Sequence, residues 1–310
     1  MNSLTICVLA RSHSRLKEYI PLITRNIAIQ RSLYGSSVQR NRMIRHIIFC
    51  ETSMLIWHKM LIQLFSLPMR LDFRTVDHLF KWKEQSRTSK YCWATKLSRA
   101  ASYGYRCMCS FWFYDFLAET KGCRYVARID DDCLIESCPW DEILEELDSE
   151  KSAFICSSLG PRDDSDVTIG LSEFVDDFCS DNDGLRKPSY NMNPYTNVMI
   201  INRTHFAQDS LFHEFASRVI DSGCIHINRW GDLPLWGAYL SIQPSPILLN
   251  VRRDIRYFHG SHDYPVNLEK SHSLIPLSFG LILLFGISYV EALYLKALAL
   301  VLAFRSQIVS

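Results

Sequence analysis

Three observations predict an α/β fold, a mostly parallel sheet flanked by helices, for this chain of 310 residues. Short apolar runs that read as buried strands alternate with longer segments whose apolar residues recur every three or four positions. Three of the runs close on charge: Arg11, Glu51, and the carboxylates Asp130, Asp131 and Asp132. Parallel strands bring such endings to one rim, and ligands of such sheets bind outside the carboxyl ends of the strands.

The elements follow in order. Residues 4–10 read as a buried strand that ends at Arg11. Residues 16–34 carry Leu16, Ile20, Ile23 and Ile27 at helical spacing. Residues 46–50 form a second strand, and 52–65 the next helix. Residues 90–119 read as one long aromatic helix with a break at Gly104. Residues 125–129 are the strand that delivers the three aspartates, 140–147 a short acidic helix and 153–157 a strand. Residues 160–188 read as a solvated loop or lid, rich in Asp163, Asp164, Asp166, Asp176, Asp177, Asp181 and Asp183, with a second metal site as an alternative. Residues 197–201 read as a strand. An amphipathic helix over 204–220 follows, with Leu211, Phe212, Phe215 and Val219 on one face. Residues 232–240 continue as helix and 255–258 as a last strand.

The composition narrows the function. A formal net charge of +1 gives no electrostatic case for nucleic acid. Eleven cysteines without a C-x-x-C pair argue against a zinc knuckle; buried thiols with one or two disulfides fit the count. No signal peptide is read, because the apolar run at 4–10 is followed at once by Arg11 and Lys17. Residues 273–290 contain no charge, the lower limit for a membrane span, and apolar sequence resumes at 297–304. The segment 273–304 is therefore read as a hydrophobic tail or a transmembrane segment. The arginines and Lys270 before it would leave the preceding domain cytosolic.

The run Arg128-Ile129-Asp130-Asp131-Asp132-Cys133 carries the chemistry. Three adjacent carboxylates repel, and water, a cationic partner or a metal must relieve that repulsion. Asp130 and Asp132 offer hard oxygen ligands to Mn²⁺ or Mg²⁺, and an ion held there can hold a diphosphate. The other reading is a solvated acidic turn.

Several separated segments share one resemblance. Thr5-Ile6-Cys7-Val8-Leu9-Ala10-Arg11, Tyr105-Arg106-Cys107-Met108-Cys109, the stretch 125–132, Tyr195-Thr196-Asn197, Arg229-Trp230-Gly231-Asp232-Leu233-Pro234 and Ile255-Arg256-Tyr257-Phe258 occur in one order over residues 4–265. Together they resemble the motifs of the fungal Golgi α-1,2-mannosyltransferases, glycosyltransferase family 15. The resemblance implies a glycosyltransferase-A-type, Rossmann-like domain over residues 4–268. It implies retaining transfer of mannose from GDP-mannose to a mannose-containing glycan of a glycoprotein, with Mn²⁺ or Mg²⁺ as cofactor. By it, Asp130, Asp131 and Asp132 approach the metal, with His259 or His262 as a further ligand, and Arg11, Tyr105, Arg106 and Arg128 lie near the nucleotide. Location in the Golgi or another secretory-pathway membrane is implied likewise.

Several residues keep two readings. Arg11 is a phosphate or base contact or an ordinary flanking charge. Tyr105 is a donor contact or buried packing. Asp232 caps the helix that starts at Leu233-Pro234 or serves as the catalytic carboxylate. Trp230 is a sugar platform or core. Asn202-Arg203-Thr204 is a glycosylation sequon, or Thr204 caps a helix. Two departures stand out. Met199 occupies the position where the family carries a Glu, and Ser110 replaces an Arg. A thioether is no oxygen nucleophile, so a covalent two-step route has no support there. A UDP-sugar transferase and a catalytically silent, membrane-associated member of the fold are the alternatives.

Overall fold

The computed structural model describes residues 4–10, 44–54, 56–65, 71–80, 89–96, 101–160, 165–189, 193–244 and 249–259. Arg11, the helix read over 16–34, His262 and the hydrophobic segment 273–304 lie outside the described residues. Among the described residues no helix is long and apolar enough to cross a membrane.

Seven strands form the central sheet among the described residues: β1 (Leu4–Leu9), β2 (Ile44–Cys50), β3 (Leu71–Thr75), β4 (Tyr125–Ile129), β6 (Phe154–Cys156), β9 (Val198–Asn202) and β10 (Leu249–Val251). Two short ribbons stand beside it. One pairs β5 (Cys133–Ser137) with β11 (Arg256–His259), the other β7 (Leu159–Gly160) with β8 (Asn193–Pro194). The strand order is β10-β6-β9-β4-β1-β2-β3. β1 runs parallel to β2 and β4, β2 to β3, and β6 to β10. β9 alone is reversed, antiparallel to both β4 and β6.

The helices are α1 (Ile56–Phe65), α2 (Tyr103–Ser110), α3 (Phe116–Glu119), α4 (Trp140–Asp148), α5 (Leu171–Asp181), α6 (Arg203–Gln208), α7 (Ser210–Ser222), α8 (Cys224–Ile227) and α9 (Asp232–Ile242). Strand residues alternate between two cores. Leu4, Ile6 and Val8 face the one that holds Ile143, Leu144 and Leu147 of α4. Cys7 and Leu9 face the other, rich in aromatic residues from α5, α7 and α9. Phe212 and Trp236 stack there at 5.1 Å, and Phe113 meets Trp236 edge-on at 5.7 Å. Such pairs add stabilisation beyond the burial of their area.

Four expectations change. The long helix read over 90–119 starts only at Tyr103, because the Ser102 side chain accepts from the Tyr105 N–H and caps it. Gly104 sits in its first turn, and the interruption falls later, as a π-helical turn over Phe111–Asp115. The stretch read as a loop contains α5, whose buried face is Leu171, Phe174, Val175 and Phe178. That spacing is helical, and the many aspartates around it hid the period. The helix read over 204–220 is two. Asn202, not Thr204, caps α6, and Asp209 caps α7 through the N–H groups of Leu211 and Phe212. The last strand leaves the central sheet and pairs with β5, which the sequence reading did not contain.

Buried His46 in β2 gives a pH prediction. Among the described residues neither ring nitrogen meets a hydrogen-bond partner, and burial lowers its pKa from 6.5 to about 4. Between those values the unfolded chain binds a proton that the folded chain refuses. Stability therefore rises with pH through this window and is lost as pH falls, by about 3 kcal/mol in all. His46→Phe should flatten this part of the pH dependence of the urea midpoint. An unchanged difference between pH 6.5 and pH 4 would refute the assignment.

Candidate functional site at the mouth of strands β1 and β4

The chain leaves β1 toward β2 and β3 on one side, and β4 lies on the other. The strand order reverses at β1 and β4, and the crevice beyond their carboxyl ends is the expected ligand site of such a sheet. Asp130, Asp131 and Asp132 follow β4 at this point, and all three are buried. They do not form a solvated turn.

Each carboxylate has its own surroundings. Arg128 points into the aromatic core, where its guanidinium lies 4.8 Å from the Trp112 ring. Its Nε donates to Asp130 Oδ1 at 2.8 Å and its Nη2 to Oδ2 at 3.2 Å. Its Nη1 donates to Asp232 Oδ2. One guanidinium, only 2% exposed, thus joins the end of β4 to the start of α9. Burial opposes its charge, but Asp130 and Asp232 outweigh that effect and hold Arg128 protonated, above its ordinary value. The Asn197 side chain adds a donor to Asp130 Oδ2 at 2.9 Å. It comes from the start of β9, whose reversal brings that end to the mouth.

Asp132 meets a different partner. The β5–β11 ribbon sets Cys133 opposite His259, and same-face neighbours across antiparallel strands approach closely. His259 Nε2 lies 3.3 Å from Asp132 Oδ1 and 3.3 Å from Asn197 Nδ2. Ligand atoms of Asp132, Cys133 and His259 all fall within 4.8 Å of one another. Burial, then the charges of Asp130 and Asp132, push the Cys133 thiol well up. The oxygen and nitrogen donors of the corner are the Asp132 carboxylate, which is hard, and the His259 imidazole, which is borderline. A buried oxygen–nitrogen pair of this kind fits a divalent cation such as Mn²⁺ or Mg²⁺.

No protein-family model matches the chain, and no curated protein sequence does. Solved structures do. The mannosyltransferase Ktr4p from S. cerevisiae superimposes with a TM-score of 0.67 at 15% identity, covering 83% of this chain and 70% of that one. Core-mannan synthase A from Aspergillus fumigatus, in its Mn/GDP form, gives 0.63 at 14% identity, over 83% and 74%. Mouse xyloside xylosyltransferase 1 gives 0.50 at 13% identity, over 80% and 84%. The chain has the glycosyltransferase-A fold.

Within the glycosyltransferase-A frame the other sequence-derived residues find their places. Asp232 is the first residue of α9, and Gly231 occupies the cap position without a side-chain bond. The capping reading of Asp232 is thus replaced, because its carboxylate is turned to Arg128. Tyr105 is part exposed, and the Arg229 guanidinium lies 5.0 Å from its ring. Cys109, burial and Asp232 raise the Tyr105 pKa, against the effect of Arg229. Arg106 donates to the backbone carbonyls of His226 and Ala101. Trp230 is fully buried, edge-on to Phe174 at 5.4 Å, with its N–H on Ile169 O; packing, not a sugar platform, is its place. Met199 is buried in β9, in register with Arg128. Trp112 and the β5 strand were missed in the sequence, where no local signal marks them, and Asn197 stood there only as part of the Tyr195-Thr196-Asn197 motif, with no contact to Asp130 or His259 read for it.

A loop wall flanks the motif that leads to Asp232. The Asn228 side chain accepts from the Trp93 N–H at 2.6 Å and donates to the carbonyls of Tyr91 and Ile169 at 2.7 and 2.8 Å. Gly170, at φ +74°, packs against this knot, and a Cβ there would lie 2.4 Å from Tyr91 O. Gly170→Ala should therefore cost roughly 2 kcal/mol or more, from left-handed strain plus the displaced carbonyl. An unchanged denaturation midpoint would contradict it.

Proposed function

We propose that this protein is a metal-dependent, retaining glycosyltransferase of the family 15 kind. It would transfer mannose from GDP-mannose to a mannose-containing glycan of a glycoprotein in α-1,2 linkage. The observation that carries the reading is the buried Asp132–His259 pair at the β1–β4 mouth, beside Asp130, Arg128 and Asp232. The likeness to a mannosyltransferase complexed with GDP, and to another in a Mn/GDP form, supports it.

Asp132 and His259 would hold Mn²⁺ or Mg²⁺, with Asp130 and Asp131 adding negative charge around it. The bound ion supplies charge neutralisation of the diphosphate as the glycosidic bond breaks. Arg128 fixes the directions of Asp130 and Asp232. Asp232, oriented by that partner, accepts a hydrogen bond from a sugar hydroxyl at the cleft. Tyr105 and Arg229 stand beside it as donor contacts. Met199 leaves the strand without a nucleophile. Displacement then proceeds on one face of the sugar, and a phosphate oxygen of the leaving nucleotide takes the proton of the acceptor hydroxyl. The working location is the Golgi or another secretory-pathway membrane, which cell fractionation tests.

The same Met199 favours a second reading, a silent member that binds nucleotide without transfer. Incubation with GDP-mannose and with UDP-sugars, with and without Mn²⁺, separates the two. Mn²⁺-dependent GDP release from GDP-mannose is expected. Mn²⁺-dependent GDP binding without release supports the silent reading, and release from UDP-sugars alone corrects the donor. Absence of both binding and release sinks the proposal.

A further inference from the structure

All eleven cysteines carry free thiols, and nine of them are buried. Cys92 and Cys179 reach solvent, and only Cys92 has a second sulfur hydrogen-bonded to it. The Sγ atoms of Cys92 and Cys224, 132 positions apart in sequence, stand 2.9 Å from each other. Cys92 Sγ also donates to the Ser222 carbonyl at 3.0 Å. The approach is held from both sides. Asn228 ties down the backbone at Tyr91 and Trp93, the residues on either side of Cys92. Cys224 opens α8, whose backbone runs directly into Asn228. From this separation the sulfurs need approach by only about 0.9 Å to reach bonding distance.

We propose that Cys92 and Cys224 form a reversible disulfide, a thiol–disulfide modification site that staples the 89–96 loop to the α8 segment leading into Asp232. The co-reactant is a small-molecule disulfide. The Cys92 thiolate attacks one of its sulfurs, expels one small thiolate and becomes a mixed disulfide. The Cys224 thiolate then attacks Cys92 Sγ and expels the second. Two protein thiols lose two electrons and two protons in total, and the small disulfide is reduced to two small thiols. The hydrogen bond from Cys224 lowers the Cys92 pKa, which suits the part-exposed sulfur to the first attack. Cys224, buried behind it, resolves the intermediate.

Cys224 lies on the segment that runs through Asn228 and Arg229 into Asp232, and Cys92 on the loop bonded to Asn228. Oxidation would fix the spacing between the loop held by Asn228 and the turn through Arg229, whose φ of 69° is strained for a residue with a side chain. The linkage closes a long loop, so it should protect the fold against heat.

The test uses the full chain, equilibrated with oxidised and reduced glutathione at several ratios, alkylated and mapped by mass spectrometry without reduction. A linked peptide pair containing Cys92 and Cys224 is expected, lost again under reducing ratios. The oxidised protein should melt roughly 5–10 °C above the reduced one. Cys92→Ser and Cys224→Ser should each abolish the linked pair and the shift in melting temperature. A second, Cys92→Ala, guards against a polar effect of serine. Persistent glutathione on Cys92, full alkylation of both thiols after oxidation, or pairing with another cysteine would each overturn the proposal.

Discussion

Asp132→Asn should reduce Mn²⁺-dependent GDP binding by about 100-fold or more, with the far-ultraviolet circular dichroism unchanged. Loss of an outer partner of a metal ligand already costs on the order of 10–100-fold, so the loss of the charged donor itself belongs at or above that range. The amide matches the carboxylate in size but brings no charge to the corner it shares with His259. Titration calorimetry with GDP, with and without Mn²⁺, measures the effect. His259→Ala should act in the same direction. Should His262→Ala abolish metal-dependent binding while His259→Ala leaves it intact, the ligand assignment fails. Equal GDP affinity of Asp132→Asn and the native chain in Mn²⁺ would refute the metal corner altogether.

Arg128→Met carries the largest expected effect on stability. The guanidinium is buried between Asp130 and Asp232, and its removal leaves two carboxylates facing each other without their shared cation. Breaking a buried ion pair from one side costs about 3–5 kcal/mol. For a chain of this size that corresponds to a fall in melting temperature on the order of 10 °C. Adding Asp232→Asn to Arg128→Met should recover part of the loss, because one of the orphaned charges is gone. A double-mutant cycle in urea measures the recovery. Additive costs for the two replacements would mean that the residues do not interact through the geometry described. Arg128→Lys should restore little, since a single ammonium cannot reproduce the three directed bonds.

Five of the seven sheet strands were legible in the sequence because they read as buried apolar runs, whereas β3 and β10, short and only half-buried, were not read. The triple aspartate was legible for a similar reason, since three adjacent carboxylates after an apolar strand demand an explanation. What surrounds them was not. His259 reaches Asp132 through its place opposite Cys133, and the partner strand β5 was itself unread, while His262 lies outside the described residues. Asn197 reaches Asp130 only because β9 runs backwards, a fact of topology and not of local composition. Arg128 reads as a strand residue beside an acidic run. Only the fold reveals that its side chain turns to the aromatic face and meets Asp232, 104 positions away. The aspartates between 160 and 188 misled in the opposite direction, since their number concealed the helical spacing of four buried apolar residues.

The β5–β11 pairing has a consequence for how this corner can change over generations. Successive residues on a strand point to opposite sides, and β11 already shifts register between Arg256 and Tyr257. One codon gained or lost between that shift and His259 would present Phe258 or a following residue where the imidazole now stands. Point substitutions along β11 are tolerable so long as spacing is kept. Insertions and deletions there are not, even when every side chain of the corner survives. The corner is therefore encoded as a distance along the chain as much as by the identity of its residues.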